Sequence, residues 1–432
     1  MATKSQQGSI LGVPRGTVDL NISDSIALDE MLSVIEETFK RFGFSPLVTP
    51  SMENTDVLAA KAYGEEQDKE IFFMDGKDSA LRFDFTVPLA RYVAMNRGIP
   101  FPFKRYQIGN VWRKDEPQRM RSREFVQADI DIVGSSSASS DAECIAAMLY
   151  AIDALHIPNY RLLINSRHVM SSILDHFKIG EDKHGQAMRI LDKMAKVSMS
   201  EVIKQLESAG VDGDSAQQLI SFITEDATND QKLKKVEINM PETKPFTNEI
   251  SSVIDMLLKM GVKCEIVVDL SLARGLNYYT GLVWEVVVES PEGRLPSIAS
   301  GGRYDSLIEI YSKSRVPAVG SSIGVTRLIN LLSGKAEKKT YAKAYLAVIG
   351  EESLDYAIKI ASSLRSSGIY VDMDVSGRSI SKQLEHASSI KVKYAVIVGK
   401  QEMASGRIKV RDMESRKEEL LDIGSAINLL KG

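Results

Sequence analysis

Hydrophobic and polar residues alternate most regularly in the segment 105–134 of this 432-residue chain. An alternation with a period of two is typical of a β-strand that turns one face towards a core. The segment therefore predicts two antiparallel strands joined by a mobile, arginine-rich turn. In the second strand one parity is apolar, and the other parity is formed by Arg123, Phe125, Gln127, Asp129 and Asp131.

The polar face of this second strand has two interpretations. It fits the solvated outer face of an antiparallel sheet, as most alternating strands do when taken alone. It also fits the floor of a site for a charged, planar ligand, since charges covered by protein need partners. A nearby strand with the same character favours the second interpretation.

The sequence LRFDFT at 81–86 has that character. It predicts a strand with Arg82, Asp84 and Thr86 on one side and apolar residues on the other. Pro88 would then stop the strand and suit the first turn of a helix. An acid two residues from a hydroxyl on a rigid strand can hold an ammonium group through ionic and hydrogen-bonded contacts.

Two further segments carry residues of chemical interest. In 273–289, Arg274 and the pair Tyr278 and Tyr279 stand between strong strand patterns, although Tyr278 equally fits a residue that fills a core edge. The segment 317–328 predicts a helix in which Gly320 and Gly324 permit close backbone approach. Arg327 lies one turn further along that helix.

The remaining pattern divides the chain coarsely. A helical apolar stripe runs from Leu28 to Phe42, with Ser23 or Asp24 as its cap and Gly43 at its exit. Residues 168–243 predict a helical insertion that lacks the site motifs. A lysine-rich linker at 333–343 precedes strands that alternate with helices, the pattern of a compact α/β domain.

Composition narrows the classes of function. The length suggests two or three domains, and a net charge of −4 gives no overall signal of nucleic-acid binding, so any RNA contact depends on local basic patches.

Cys144 and Cys264 are too few for a disulfide framework, which fits a reducing compartment. The five histidines lie outside the motif segments, which argues against histidine acid–base chemistry or a zinc site. We expect no membrane span, and the first ten residues lack the apolar core of a secretory signal.

Taken together, the ordered strings resemble the histidyl-tRNA synthetases, a family of class II aminoacyl-tRNA synthetases. The strings that carry the resemblance are PRGTVDL, LRFDFTVPLARY, YQIGNVWR, REFVQADIDIVG, LARGLNYYTG, GGRYDSL and GVTRL. The resemblance implies an α+β catalytic domain (1–337) with a mixed, mainly antiparallel sheet and a helical insertion at about 168–243. It also implies an α/β anticodon-binding domain (338–432), with Arg378, Lys382, Lys391, Lys400, Arg407, Lys409 and Arg411 as candidates for RNA contact.

The resemblance further implies that the chain activates L-histidine with ATP and transfers it to its tRNA. An ionised carboxylate is already a nucleophile, so the first step needs alignment and charge neutralisation by arginines and Mg²⁺ brought with ATP, and no metal held by the protein alone. Arg113 and Arg274 are the implied catalytic pair. The implied histidine-binding residues are Asp84, Thr86, Arg113, Gln127, Asp131, Arg274, Tyr278, Tyr279 and Tyr304. The implied ATP-binding residues are Arg113, Asp115, Glu116, Arg121, Phe125 and Arg327.

Further expectations follow from the resemblance. The first helix and the strand FSPLVTP would form the interface of a homodimer, and the location would be cytoplasmic, with an additional mitochondrial form left open. Asp84 and Asp131, where other members have glutamate, suggest the eukaryotic-type subgroup. Asn277 and Thr326 depart from the usual aspartate and glutamate of the family.

Two other functions remain open at this point. One is a catalytically inactive relative that senses histidine or tRNA, or serves as a regulatory subunit; the retained arginines argue against it. The other is a synthetase for threonine, proline or glycine, against which the RGL-YY string argues.

Overall fold

The computed structural model describes residues 11–60, 71–74, 76–118, 120–194, 197–273, 278–290, 293–332 and 338–432. These residues form two compact units, one from 11–18 with 31–331 and one from 19–30 with 332–432.

The strands of the first unit are β1 (Ser45–Pro46), β2 (Met52–Asn54), β3 (Ser79–Leu81), β4 (Phe103–Trp112), β5 (Glu124–Val133), β6 (Tyr160–Ser166), β7 (Glu265–Val268), β8 (Leu282–Ser290), β9 (Gly293–Arg294), β10 (Ala299–Arg303) and β11 (Ala318–Gly324). Its helices, the first of which begins in the second unit, are α1 (Ile22–Arg41), α2 (Thr55–Leu58), α3 (Thr86–Met95), α4 (Ala138–Ala154), α5 (Arg167–His176), α6 (Glu181–Leu191), α7 (Met199–Ser208), α8 (Gly213–Ile223), α9 (Asn229–Asn239), α10 (Lys244–Lys259), α11 (Glu309–Ser312) and α12 (Val325–Leu332).

A large sheet organises this unit, in the order β1-β4-β5-β11-β10-β8-β6-β7, with β9 paired to β8. The pairs β1–β4 and β6–β7 are parallel and the other pairs are antiparallel. Most residues of α4 are buried, many of them small or apolar, and α4 packs on β5, β10 and β11. The mixed, mainly antiparallel sheet predicted from the sequence is confirmed.

The strands β4 and β5 confirm the prediction made from the alternation at 105–134. They pair antiparallel from Phe103 opposite Val133 to Trp112 opposite Glu124. Ala128, Ile130 and Ile132 are buried, as the apolar parity of β5 predicts.

The structure differs from the predicted element in the segments 81–86 and 317–328. The strand predicted at 81–86 ends at Leu81, and Thr86 already begins α3, with Pro88 in its first turn. The segment 317–324 is strand β11, and the helix begins only at Val325. At 81–86 the start of α3 made the apolar spacing ambiguous between a period of two and one of 3.6.

Helix α1 follows its predicted stripe, with Ile35 and Phe39 fully buried and Gly43 at a φ of +77° after its last turn. Its N-terminal cap is Asn21, whose Oδ1 accepts from the Asp24 backbone N–H at 2.9 Å, so the predicted cap at Ser23 or Asp24 was wrong. The predicted strand before Pro50 is only the two residues of β1.

The second unit contains β12 (Ala344–Val348), β13 (Val371–Met373), β14 (Tyr394–Val398), β15 (Ile408–Asp412) and β16 (Glu418–Leu421), with the helices α13 (Leu354–Ser366), α14 (Ile380–Ser389), α15 (Lys400–Ser405) and α16 (Ile423–Lys431). Its sheet has the order β13-β12-β14-β15-β16. The predicted alternation of strands and helices is confirmed.

Candidate active site

A cavity of about 280 Å³ lies along β5 in the first unit. Phe125, Gln127, Asp129 and Asp131 line it, and these are four of the five residues that the sequence placed on the polar face. A strand rises about 3.3 Å per residue, so Phe125 and Asp131 stand roughly 20 Å apart along the floor. The fifth residue, Arg123, instead donates to the backbone oxygen of Asp115 at 2.9 Å.

One end of the floor is built around Asp131. Its Oδ1 accepts a hydrogen bond from the Tyr304 hydroxyl, and its Oδ2 lies 2.7 Å from Nη2 of the fully buried Arg105 on the adjacent strand. On the neighbouring strand β11, Gly320 lies opposite Asp131, and a Cβ added at Gly320 would lie 2.0 Å from Asp131 Oδ1. The carboxyl group therefore occupies space that any side chain at position 320 would need.

Burial dominates the electrostatics at this end. It raises the pKa of Asp131, while Arg105 and the Tyr304 hydroxyl oppose the rise. It also raises the pKa of Asp129 to about 7, although Arg105 lowers it. Burial and the Asp131 carboxylate together raise the pKa of Tyr304 well above its ordinary value. Tyr304 therefore remains a hydrogen-bond donor at neutral pH.

The segment that precedes α3 contributes Asp84 and Thr86 to the cavity. Asp84 Oδ1 accepts from the Val87 backbone N–H at 3.2 Å, which fixes the acid beside the start of the helix. Arg82, predicted on the same face, instead donates to the backbone oxygens of Thr49 at 2.8 Å and Asn110 at 3.0 Å. Arg82 thus holds the segment in place from outside the cavity.

Gln127 lies further along the floor and donates through Nε2 to the Ser322 hydroxyl at 2.7 Å. Among the described residues nothing hydrogen-bonds to its buried Oε1. This arrangement leaves an amide oxygen free to receive a donor from a ligand.

Arginines gather at the other end of the cavity. The Arg113 guanidinium lies 5.2 Å from the Phe125 ring centroid, and its Nε donates to the Phe83 backbone oxygen at 3.1 Å. Arg121 pairs with Asp115 at 2.7 Å. Arg327 lies in the first turn of α12 and donates through Nη1 to the Ser297 backbone oxygen at 2.6 Å. An aromatic ring beside several guanidinium groups suits a planar base with phosphates.

Thr326, one of the two departures from the family pattern, joins α12 to the floor. Its hydroxyl accepts from the Val126 backbone N–H at 2.8 Å. The residue therefore fixes the position of Arg327 relative to β5. The other departure, Asn277, lies outside the described residues.

The cavity brings together most of the residues implied by the resemblance. Those that line it are Asp84, Thr86, Arg113, Asp115, Arg121, Phe125, Gln127, Asp131, Tyr278, Tyr279, Tyr304 and Arg327. Glu116 is not among them, because its carboxylate points away to Arg15 at 2.7 Å and is exposed. Arg274 lies outside the described residues, so its predicted role stays a prediction.

Sequence reasoning missed several residues of the site. Asp129 shares the parity of Asp131 but received no role, and Arg105 on β4 was not considered. Ser322 was missed because its segment was expected to be helical. Asp192, at the end of α6, also lines the cavity and had no sequence signal that pointed to a site.

Among the described residues, no group of three or more His, Cys, Asp or Glu side chains is arranged to hold a metal ion. None of the helices described combines the length and apolar character needed to cross a bilayer.

Several basic residues of the second unit have acidic partners. Arg378 pairs with Asp374 at 2.5 Å, and Lys409 and Arg411 both lie within 4 Å of Glu418. Lys400 lies 3.0 Å from Glu352. Their charge is therefore less available to a polyanion than the sequence suggests.

Comparisons with known proteins cover almost the whole chain. A family model described as histidyl-tRNA synthetase matches residues 16–328, and one described as anticodon binding domain matches 343–432. Histidine–tRNA ligases of Aeropyrum pernix and Nanoarchaeum equitans are 35% and 38% identical, over 97% and 95% of this chain and 97% and 96% of theirs.

A solved histidyl-tRNA synthetase from Nostoc sp. PCC 7120 is similar to this chain with a TM-score of 0.86 and 30% identity. The match covers 98% of this chain and 99% of that one. These relatives are archaeal and bacterial, so they give no support to the eukaryotic-type subgroup predicted from Asp84 and Asp131.

Proposed function

The chain belongs to the histidyl-tRNA synthetase family, and from this premise we propose that it is a histidine–tRNA ligase. It activates L-histidine with ATP, releases pyrophosphate and transfers the histidyl group to a terminal hydroxyl of its tRNA. The observation that carries the proposal is one cavity with Arg113 and Phe125 at one end and the Asp131–Tyr304 pair at the other.

The adenine ring stacks on Phe125, and Asp115 meets the edge of the base. Arg121 and Arg327 hold the outer phosphates. Arg113 bridges the α-phosphate and the substrate carboxylate, so the two reacting groups meet next to a positive charge. The carboxylate oxygen attacks the α-phosphorus and pyrophosphate leaves, which requires alignment and charge neutralisation and no general base. Arg274 joins Arg113 as the second guanidinium in this proposal.

Amino-acid selection occurs at the acidic end. Asp84, Thr86 and Gln127 receive the ammonium group, while Asp131 with Tyr304, Tyr278 and Tyr279 surrounds the imidazole. A buried polar group left unpaired by a wrong side chain is costly, so such a pocket discriminates by roughly 10⁴–10⁵ without proofreading.

Magnesium enters with ATP as part of the substrate. The arginine-rich end of the cavity offers Asp115 as an oxygen donor, but Asp115 is already paired with Arg121. The phosphates and water would therefore supply most of its coordination, which is the preference of this ion.

Three further proposals concern the whole protein. It is a homodimer, supported by the exposure of Val48 (87%) and Met52 (55%) in and beside the predicted interface. The second unit binds the anticodon arm of the tRNA. Two free cysteines support a cytoplasmic location, and an additional mitochondrial form stays open. The eukaryotic-type subgroup stays a prediction.

Pyrophosphate exchange into ATP tests the catalytic proposal. We expect exchange with L-histidine and not with the other nineteen amino acids. Exchange with threonine, proline or glycine would identify a different synthetase. Histidine binding without any exchange would instead support the inactive sensor or regulatory subunit. Light scattering at working concentration tests the homodimer, which a monomeric mass would refute.

A further inference from the structure

Asp129 is a buried carboxyl of the cavity floor that the proposed mechanism does not use. It lies between Gln127 and Asp131 on the same face of β5, and its exposed fraction is only 4%. Residues two apart on a strand are separated by about 7 Å. Asp129 is thus flanked by the proposed ammonium contact on one side and the proposed imidazole contact on the other.

The two neighbouring acids differ in how their oxygens are engaged. Asp131 uses Oδ1 for the Tyr304 hydroxyl and Oδ2 for the ion pair with Arg105. Within the described part of the chain, Asp129 Oδ1 is buried and has no hydrogen-bond partner. A buried acceptor without a donor is unfavourable, so this atom marks a place where a ligand donor would be bound.

The charges around Asp129 favour a positively charged or N–H-donating ligand. Arg105 lowers the pKa of Asp129, whereas burial and the carboxyls of Asp131 and Asp84 raise it. Arg82, whose charge also interacts with Asp129, is already bound to backbone oxygens. A donor group from the substrate would therefore stabilise the anionic form of Asp129.

We propose that Asp129 Oδ1 accepts a hydrogen bond from an N–H group of the bound amino acid, with Arg105 as the positioning residue that holds Asp131 beside it. The inference rests on the proposed function and adds a specificity-determining residue to it. The N–H group belongs either to the substrate ammonium or to its imidazole ring, and both share the chemistry that a carboxylate recognises.

The strength of this contact depends on pH, because Asp129 titrates near neutrality. The groups that act on Asp129 are Arg105 on β4, Asp131 on β5, Ser322 on β11 and Asp84 before α3, and Arg82 also senses its charge. The pKa of Asp129 is raised to about 7, so the carboxyl is protonated below that pH and anionic above it. The anion is the better acceptor, and the contribution of Asp129 to affinity therefore increases as pH rises through 7.

The primary experiment compares the unmodified protein with Asp129→Asn by calorimetric titration of two probes. The probes are L-histidine and imidazolepropionate, which lacks the amino group. Gln107→Ala is the control, because Gln107 is the buried register partner of Asp129 on β4 but does not line the cavity. We expect Asp129→Asn to weaken histidine binding on the order of 10- to 100-fold while ATP binding and the control stay unchanged.

The two probes separate the two donors. Equal weakening of both probes assigns the contact to the ring, and weakening of histidine alone assigns it to the ammonium group. Unchanged histidine affinity, or an equal loss of ATP affinity, overturns the inference. If the unmodified protein itself fails in histidine-dependent exchange, the proposed function fails; if it is active and Asp129→Asn binds histidine equally well, only this inference fails.

A second variant covers the possibility that Asp129→Asn does not fold. Ser322 lowers the pKa of Asp129, so Ser322→Ala should move the midpoint of the histidine-affinity profile to higher pH. The ratio of the Asp129→Asn and unmodified dissociation constants should likewise grow between pH 6 and pH 8. An unshifted midpoint or a constant ratio overturns the inference.

Discussion

Gly320 offers a sharp test of the acidic end of the cavity, because it can be changed without replacing any charged residue. A Cβ at this position would lie 2.0 Å from Asp131 Oδ1 and 3.1 Å from the backbone oxygen of Ile130. Ordinary contact begins at 3.4 Å, so the carboxylate oxygen must retreat by the difference between 3.4 and 2.0 Å, or 1.4 Å. That displacement separates Asp131 from the Tyr304 hydroxyl, from Arg105, or from both.

The expected loss follows from the size of this displacement. A misplacement of about 1 Å in a reacting site can reduce activity about 100-fold, which corresponds to about 2.7 kcal/mol. We therefore expect Gly320→Ala to lower kcat/KM for histidine in pyrophosphate exchange by about 100-fold. The KM for ATP should change little, since the arginines lie at the other end of β5.

Stability must be measured in parallel, because overpacking costs typically 1–3 kcal/mol. Gly98→Ala is the matched control, since Gly98 is exposed and an added Cβ would have no neighbour within 4 Å. If Gly320→Ala folds and retains the histidine KM and kcat of the unmodified protein, the carboxylate position does not govern histidine recognition.

Three further predictions test the supports of the site. Arg303→Ala should destabilise the protein by about 3–5 kcal/mol in urea unfolding, because it leaves Asp141 buried without its ion pair. Arg41→Ala, which removes the exposed pair with Glu37, should cost less than about 1 kcal/mol, and equal costs would contradict this difference. Thr326→Val should lower the free energy of unfolding by about 1 kcal/mol, because it removes the acceptor for the Val126 N–H. Thr326→Ser keeps the hydroxyl and should restore the stability. If Thr326→Ser is as unstable as Thr326→Val, loss of the hydroxyl does not cause the destabilisation. The Asp129 carboxyl binds a proton more tightly in the folded than in the unfolded chain, so its contribution to the free energy of unfolding falls as pH rises from about 4 to 7. Asp129→Asn should therefore gain stability relative to the unmodified protein as pH rises through that range. A gain that is independent of pH would refute the raised pKa.

The sequence allowed the floor of the site to be predicted because β5 alternates without interruption. The apolar parity of Ala128 and Ile130 must face the core, which leaves Gln127 and Asp131 on the other side. Conversely, alternation misled at 81–86, where the chain bends after Leu81 and Asp84 instead binds the first turn of a helix. A local pattern does not show where a ladder of hydrogen bonds ends.

The segment 317–324 failed for a different reason. Two glycines four residues apart suit a helix contact, but Gly320 lies on strand β11, where a glycine is required because Asp131 fills the space opposite it. That requirement comes from a residue nearly two hundred positions away, and no local window contains it. Arg105 lies opposite Asp131 through another register, that of β4 with β5, which is contained in the segment 105–134.

The floor also sets the distance between the two ends of the proposed site, where the base and the imidazole would bind. Phe125 and Asp131 are six residues apart on one continuous strand, so an even number of peptide units keeps both on the same side. Inserting or deleting a single residue between them would move one of the two side chains to the core face of the strand. An apolar side chain would then take its position on the cavity face. Divergence within this stretch can therefore proceed by replacing side chains, whereas a change of length by one residue would reverse the two faces of the strand.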